Sequence, residues 1–303
     1  MDCIERKAYA KINLGLDVIR KRPDGYHEVK MIMQTVGIYD LLTLKKCAAP
    51  GIFLSVDSRE VPGGGENLVY KAAELLRKEY GIGEGVEITL EKRIPIAAGM
   101  AGGSTDAAAV FHGMNELFGL GMRLEEMQKL GVSLGADVPY CIMGGTALSE
   151  GIGEILTPLP QPPHCILVLA KPDIGVSTKF VYGNLQLGPA TRHPDIDKME
   201  EAIREGSLGG ITETMGNVLE TVTIPAHPVI QEIKNTMARE GAENALMSGS
   251  GPTVFGIFKE EATARRAACA IKEAGLAGQV FVTGFHHRKG GSGNGGTVAG
   301  RNG

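Results

Sequence analysis

The chain contains no tryptophan, and its five cysteines (Cys3, Cys47, Cys141, Cys165 and Cys269) are odd in number, scattered and free of any C-x-x-C pair. That pattern argues against a disulfide framework and a cysteine zinc site, and reduced, buried thiols are the expectation. Basic charge is not in excess: 31 Lys and Arg stand against 35 Asp and Glu, a formal net charge of −4. No Lys/Arg run marks a nucleic-acid binder, so a substrate carrying several phosphates must be held by local features. No stretch approaches the roughly 20 apolar residues of a membrane span. The opening MDCIERKAYAKINL lacks the apolar segment of a secretion leader. A cytoplasmic protein with neither membrane nor nucleic-acid partner is expected.

What is present is an ordinary globular composition, 43% hydrophobic and 22% charged over 303 residues, enough for one large domain or two modest ones. Arg6–Ile19 reads as a strand interrupted at Gly15. Arg22-Pro23-Asp24-Gly25 is a turn, and strands follow at His27–Val36, Leu41–Lys45 and Ile52–Val56. Asn67 opens a helix through Tyr80, with Leu68, Ala72, Leu75 and Leu76 as its apolar stripe and Gly81 beyond its end. Val86–Glu91 alternates as a strand. Helices are expected from Ser104 to about Phe118 and over Leu124–Leu134, with a break at Ala136-Asp137-Val138-Pro139.

Pro158, Pro160, Pro162 and Pro163 form the candidate linker. Beyond it come a strand at Cys165–Ala170 and helices near Thr178–Leu185, Lys198–Glu205 and Val229–Arg239. The chain then reads as strand Asn244–Met247, turn Gly249–Gly251, strand Thr253–Phe258, helix Glu261–Ala274 and strand Val280–Phe285. This pattern suits an α+β fold. The expected division is 1–160, 161–288 and a glycine-rich tail at 289–303, read as disordered because it has almost nothing apolar to bury. The tail's Gly291-x-Gly293-x-x-Gly296 matches a dinucleotide fingerprint only in spacing, since no strand enters it and no helix leaves it.

The strongest local feature is Pro95-Ile96-Ala97-Ala98-Gly99-Met100-Ala101-Gly102-Gly103-Ser104-Thr105, followed by Asp106 and Ala107-Ala108-Ala109. Glycines let the backbone approach a ligand and expose successive N–H groups. The alanines behind them favour helix, so the loop ends on a helix N-terminus, where unpaired N–H groups attract anions. Ser104 and Thr105 add hydroxyls. The loop lacks the lysine of a Walker A motif and the spacing of a Rossmann turn. Its bland alternative is a tight strand–helix connection with Ser104 as a simple cap. Asp106 stands open between favouring the helix dipole and attending a metal.

Three motifs in order then resemble those of the GHMP kinases, the family of galactokinase, homoserine kinase and mevalonate kinase. They are Lys7-Ala8-Tyr9-Ala10-Lys11-Ile12-Asn13-Leu14, the glycine loop, and Met247-Ser248-Gly249-Ser250-Gly251-Pro252-Thr253-Val254-Phe255. Together they reach from Lys7 to about His287. Pro23-Asp24-Gly25-Tyr26-His27, Gly135-Ala136-Asp137-Val138-Pro139 and Gly151-Ile152-Gly153-Glu154 are similar to the branch of that family acting on a cytidine-diphosphate-linked methylerythritol (CDP-methylerythritol).

The resemblance implies a two-domain α+β fold, with an N-terminal domain like the second domain of ribosomal protein S5 and a ferredoxin-like C-terminal domain. It implies transfer of the ATP γ-phosphoryl group to the substrate's 2-hydroxyl, in the non-mevalonate route to isoprenoid precursors. ATP and Mg²⁺ are the implied cofactors, and the enzyme would be a monomer or homodimer. ATP would lie on Pro95, Ala97, Ala98, Gly99, Met100, Ala101, Gly102, Gly103, Ser104 and Thr105. Asp137 matches the catalytic carboxylate and Lys11 the lysine beside it; no protein metal ligand follows. Tyr26 would stack on cytosine and His27 hydrogen-bond its edge, with Tyr182 as the second stacking aromatic and Phe180 its rival. Asn13 would bind the methylerythritol or its phosphates, Thr178 would lie near the substrate, and Gly249 and Ser250 would shape the cleft. Met100-Ala101 stands where Leu-Gly is commoner in the family, and the Cβ of Ala101 makes that position less free.

Taken alone, Asp137 reads as a turn or cap, Lys11 as a strand-end charge, Tyr26 as a hairpin aromatic and His27 as a surface histidine. The nearest alternative is another GHMP kinase, of homoserine or mevalonate type, against which Asp24-Gly25-Tyr26-His27 speaks. A non-catalytic nucleotide sensor has no need of both Lys11 and Asp137.

Overall fold

A computed structural model describes residues 2–189 and 191–286; the glycine-rich tail at 289–303 lies outside the described residues. Two long strands, β1 (Cys3–Lys21) and β2 (His27–Cys47), pair antiparallel along nearly their whole length. The expected break between His27–Val36 and Leu41–Lys45 does not occur. Val36, Ile38, Leu42 and Leu44 are all buried, so one period-2 pattern runs through Gly37. Gly15 likewise does not end β1. A register shift absorbs it, and a Cβ there would come within 2.8 Å of Ile196.

β1 and β2 join β3 (Ile52–Val56), β4 (Gly85–Glu91), β5 (Thr146–Gly151) and β6 (Ile155–Leu159) in one sheet. Its path is β3-β4-β2-β5-β6, with β1 paired to β2 as well. The β5–β6 hairpin was not among the expected elements; its proline-rich end disguises it. Helices α1 (Leu68–Tyr80), α2 (Gly102–Leu117), α3 (Leu124–Gly131) and α4 (Val138–Met143) belong to this half. α1 follows its sequence signals: Asn67 Oδ1 accepts from Val69 N at 2.9 Å, and Gly81 closes the helix at φ 61°. The break expected at 136–139 is instead the start of α4. Pro139 sits in its first turn, where no intrahelical donor is needed. Leu76, Phe111, Met114 and Ile142 pack with Leu42 and Leu44 beneath these helices.

The second half places β7 (Ile166–Lys171), β8 (Asn244–Met247), β9 (Val254–Phe258) and β10 (Gln279–Gly284) in an antiparallel sheet ordered β10-β7-β9-β8. Four short helices follow β7: α5 (Thr178–Asn184), α6 (Ile196–Arg204), α7 (Leu208–Thr214) and α8 (Glu220–Ala226). The last two helices are α9 (Val229–Arg239) and α10 (Glu261–Glu273), which pack on this sheet. α7 and α8 are additions to the sequence expectation.

The two sheets share a core. Leu16, Val18, Met31 and Met33 of the first pack with Val168 and Val254 of the second, together with Val218 and Ile230 from the helical segments over it. Leu16 N donates to Gly216 O at 2.9 Å, Val218 N to Leu16 O at 3.0 Å, and His286 N to Thr35 O at 2.9 Å. All five thiols are free, but only Cys165 is buried; Cys3 and Cys269 are exposed, which corrects the expectation of buried thiols. Among the described residues no helix is long and apolar enough to cross a membrane.

Candidate active site

A cavity of about 950 Å³ opens along the seam between the two halves. One end is the glycine loop. α2 begins at Gly102 rather than at Ser104, and Ala101, with φ 56°, occupies the cap position without a side-chain hydrogen bond. Ala97 is also left-handed, at φ 50°. Three bonds hold the loop in this shape. Lys11 N donates to Met100 O at 3.2 Å, the Thr105 hydroxyl to Tyr9 O at 2.6 Å, and the Ser248 hydroxyl to Gly99 O at 3.0 Å. Pro95, Ala97, Ala98, Gly99, Ala101, Gly102, Gly103 and Ser104 line the cavity, where the opening turn of α2 offers amides that have no intrahelical acceptor. Two of the expected contacts do not line it: Met100 is buried, and Thr105 spends its hydroxyl on β1.

The floor is β1. Lys11 is buried, with its ammonium 2.9 Å from Asn13 Oδ1 and 3.6 Å from Asp137 Oδ2. The Asn13 amide donates to Met31 Sδ, which fixes its oxygen toward Lys11. Asp137 stands at the cap position of α4, yet its side chain makes no capping hydrogen bond. The carboxylate instead faces Lys11 and the cavity, so the bland reading of Asp137 as a cap fails on geometry.

Behind the loop lies a second charged cluster. The Lys92 ammonium sits between Asp40 and Asp106, 2.7 Å from the latter, and all three side chains are buried. Asp40 also accepts from the backbone of Arg93 and Ile94. Burial raises the Asp106 carboxyl well above its ordinary value, against the pull of Lys92 and with the push of Asp40. Burial works to lower the Lys92 ammonium, but Asp106 and Asp40 together hold it above its usual value. Asp106 Oδ1 has no hydrogen-bond partner among the described residues.

At the other end His27 and Tyr182 face each other with ring centroids 5.1 Å apart. Tyr26, 61% exposed, leads the chain from the Asp24 turn, where Tyr26 N donates to Asp24 Oδ1. Burial, then the nearby Lys21 charge, lowers the His27 imidazole below its ordinary value. Burial, then Asp137, raises the Tyr182 hydroxyl. Tyr182 lines the cavity, whereas Phe180 lies outside its lining and is exposed. Thr178 and Ser250 share a hydroxyl–hydroxyl bond of 2.9 Å, and Gly249 faces Asn13 and Gly99.

Models of the GHMP kinases match the chain in both halves, the N terminal domain over residues 67–145 and the C terminal one over 190–277. The chain belongs to the GHMP kinase family. A 4-diphosphocytidyl-2-C-methyl-D-erythritol kinase of Lachnoclostridium phytofermentans is 53% identical over 289 residues, covering 95% of this chain and 99% of that protein. Among solved structures, a 4-(cytidine 5'-diphospho)-2C-methyl-D-erythritol kinase superposes with a TM-score of 0.80 at 34% identity, covering 94% of this chain and 100% of that one. A homoserine kinase from Cytophaga hutchinsonii, at 21% identity and TM-score 0.79 over 93% of this chain and 95% of that one, shares the fold.

For this GHMP kinase, sequence reasoning missed Lys92 and Asp40, which brace the loop from behind. Lys92 stands just ahead of Pro95, but nothing local shows that Asp40, 52 residues earlier, is its partner. Asn217 was missed as well. Its amide donates to Met247 O and Gly249 O, both at 2.8 Å, and holds the third-motif turn against the cleft. Lys21, Glu60 and Lys179 also line the cavity without having been singled out.

Proposed function

We propose that this GHMP kinase transfers the γ-phosphoryl group of ATP to the 2-hydroxyl of CDP-methylerythritol. The observation that carries the reading is that Lys11 and Asp137 line the same cavity as the opening turn of α2. A cavity of about 950 Å³ lies at the upper end of the range for small-molecule sites, as two nucleotides require. Relatives about half identical over nearly the whole chain bear the name of this enzyme.

In the proposed mechanism the triphosphate lies on the amides and hydroxyl of Gly102, Gly103 and Ser104. The cytosine lies between Tyr26 and Tyr182, with its polar edge on His27. Asp137 accepts the proton of the 2-hydroxyl while that oxygen bonds the γ-phosphorus and the bond to the bridging oxygen of ADP breaks. A positioned base contributes about 10²–10⁴-fold. Lys11 orients the carboxylate and places positive charge beside the transferring group, where most of the catalysis of so loose a transition state resides. Asn13, Thr178, Gly249 and Ser250 shape the space for the methylerythritol.

Asp137 and Asp106 each have one oxygen paired with a lysine; among the described residues Asp106 Oδ1 is left without a hydrogen-bond partner, and there is no cluster of three acidic or histidine ligands. That donor set fits a magnesium ion carried in on the phosphates, with Ser104 supplying a hydroxyl oxygen. Such an ion would supply positive charge that offsets the phosphate charge during transfer. We assign residues 1–160 and 161–288 to the two domains, a division supported by the change of sheet between β6 and β7.

The test is a substrate panel. Purified protein with ATP and Mg²⁺ is expected to release ADP with CDP-methylerythritol and to be inactive with homoserine and mevalonate. Turnover of either of those, with none of CDP-methylerythritol, overturns the assignment.

A further inference from the structure

The cations lining the cavity are of two kinds. Lys11 and Lys92 are buried and already paired with carboxylates. Lys21 and Lys179 are exposed, and among the described residues neither has a carboxylate within ion-pair distance. They come from different halves of the molecule. Lys21 is the last residue of β1, in register with His27 across the hairpin. Lys179 stands in the first turn of α5, beside Thr178 and one helical turn before Tyr182 and Gly183, all of which line the cavity. Lys21 thus lies across the β1–β2 hairpin from His27, and Lys179 lies on the helix that carries Tyr182, at the end away from the glycine loop. The charge of Lys21 is felt there, since after burial it is the second cause lowering the His27 imidazole.

The glycine loop and the buried lysines leave one task undone. The loop meets the ATP phosphates with neutral amides, while the charge of Lys11 is committed to Asp137 and the transferring group and that of Lys92 to Asp40 and Asp106. A nucleoside-diphosphate substrate brings further negative charge into a cavity that Glu60, Glu66, Asp106 and Asp137 also line. That charge falls between the base pocket and Asp137, and some cation must meet it.

We propose that Lys21 and Lys179 form a two-sided clamp on the diphosphate of the second substrate, so that the site selects a nucleoside-diphosphate-linked alcohol over a neutral alcohol or a bare nucleoside. The inference rests on the reading above that the second substrate is CDP-linked. One lysine from each half makes the clamp complete only when β1 and α5 are both in place, and the ammonium groups act as point charges on a substrate already oriented by its base.

The experiment compares Lys21→Gln, Lys179→Gln and the double variant with the wild-type enzyme. Steady-state kinetics are paired with calorimetric binding of CDP and cytidine. Each single change is expected to raise KM for CDP-methylerythritol about tenfold, and the double change by about 30-fold or more, with KM for ATP moving less than about twofold. CDP affinity falls by the same factors while cytidine affinity holds, and Lys179→Arg restores most of the loss. Undiminished CDP affinity in the double variant, with wild-type enzyme still phosphorylating CDP-methylerythritol, overturns the clamp and leaves the substrate assignment standing. Equal losses for cytidine and CDP also overturn it, because the lysines would then be serving the base pocket. Wild-type enzyme that does not turn over CDP-methylerythritol removes the assignment and the clamp together.

Discussion

Replacing Gly99 by alanine should separate the two halves of the site. Gly99 adopts φ +72°, and a Cβ there would lie 2.3 Å from Ser248 O, 3.1 Å from Gly251 O and 3.3 Å from Gly251 N. The obstacles are backbone atoms of the third-motif turn, which Asn217 fixes with two hydrogen bonds, so no side chain can swing aside. Ordinary carbon–oxygen contacts begin near 3.3 Å, so loop and turn must part by about 1 Å. The left-handed backbone costs an alanine roughly 1 kcal/mol, and overpacking costs about 1–3 kcal/mol more. Loss of the Ser248–Gly99 bond adds about 1 kcal/mol. The total is about 3–5 kcal/mol, a fall in Tm of roughly 6–10 °C for a chain of this size. Because the displaced segment is the phosphate loop, KM for ATP should rise together with the loss of stability. Gly103→Ala is the control, since its Cβ would meet only Leu68 Cδ1 at 3.4 Å; it should leave Tm nearly unchanged. Calorimetry and ATP titrations on both variants decide. Equal Tm values for Gly99→Ala and wild type would refute the claim that the loop is wedged against the turn.

Ala101, held at φ 56°, should accept glycine with a gain of about 0.5–1 kcal/mol, read as a higher urea midpoint at unchanged slope. Lys92→Met leaves Asp40 and Asp106 buried and facing each other, and should cost about 3–5 kcal/mol in urea unfolding; adding Asp106→Asn should recover part of it. Tyr182→Leu should raise KM for CDP-methylerythritol about fivefold or more while Phe180→Leu changes it less than about twofold, since only Tyr182 lines the cavity. For His27 the folded-state value lies below the ordinary 6.5, so the ring is neutral at pH 7 and takes up a proton only in more acid solution. KM for CDP-methylerythritol should therefore be flat from neutral to mildly alkaline pH and rise below that lowered value. Removing the Lys21 charge should move the rise to higher pH, an outcome checked by NMR titration of the His27 ring.

Much of this site was legible because its parts are local. Asn67 and Gly81 bracket α1, and Asn244–Met247 is a strand as expected. The glycine loop could be read as a helix entrance because the alanines that extend it follow directly. The errors have a common cause. The gap between Val36 and Leu41, and Gly15, look like interruptions in a one-dimensional pattern, but in the sheet one lies within a continuous buried alternation and the other makes room for Ile196. Asp137 is assigned to catalysis only through the family resemblance, since taken alone it looks like a cap; Lys11, from a strand more than a hundred residues earlier, stands 3.6 Å away. Thr105 looked like a ligand donor, and only β1 packed behind it reveals Tyr9 O as the true acceptor. Contacts across the fold carry no mark in the sequence beyond the residue types themselves.

The most direct test of the central claim is the rate of phosphoryl transfer in Asp137→Asn. The change keeps the shape of the side chain and removes the group that accepts the proton. With saturating ATP and CDP-methylerythritol, kcat should fall by about 10²–10⁴-fold, with nucleotide affinity and Tm close to wild type. An Asp137→Asn enzyme that transfers phosphate at the wild-type rate would contradict the account.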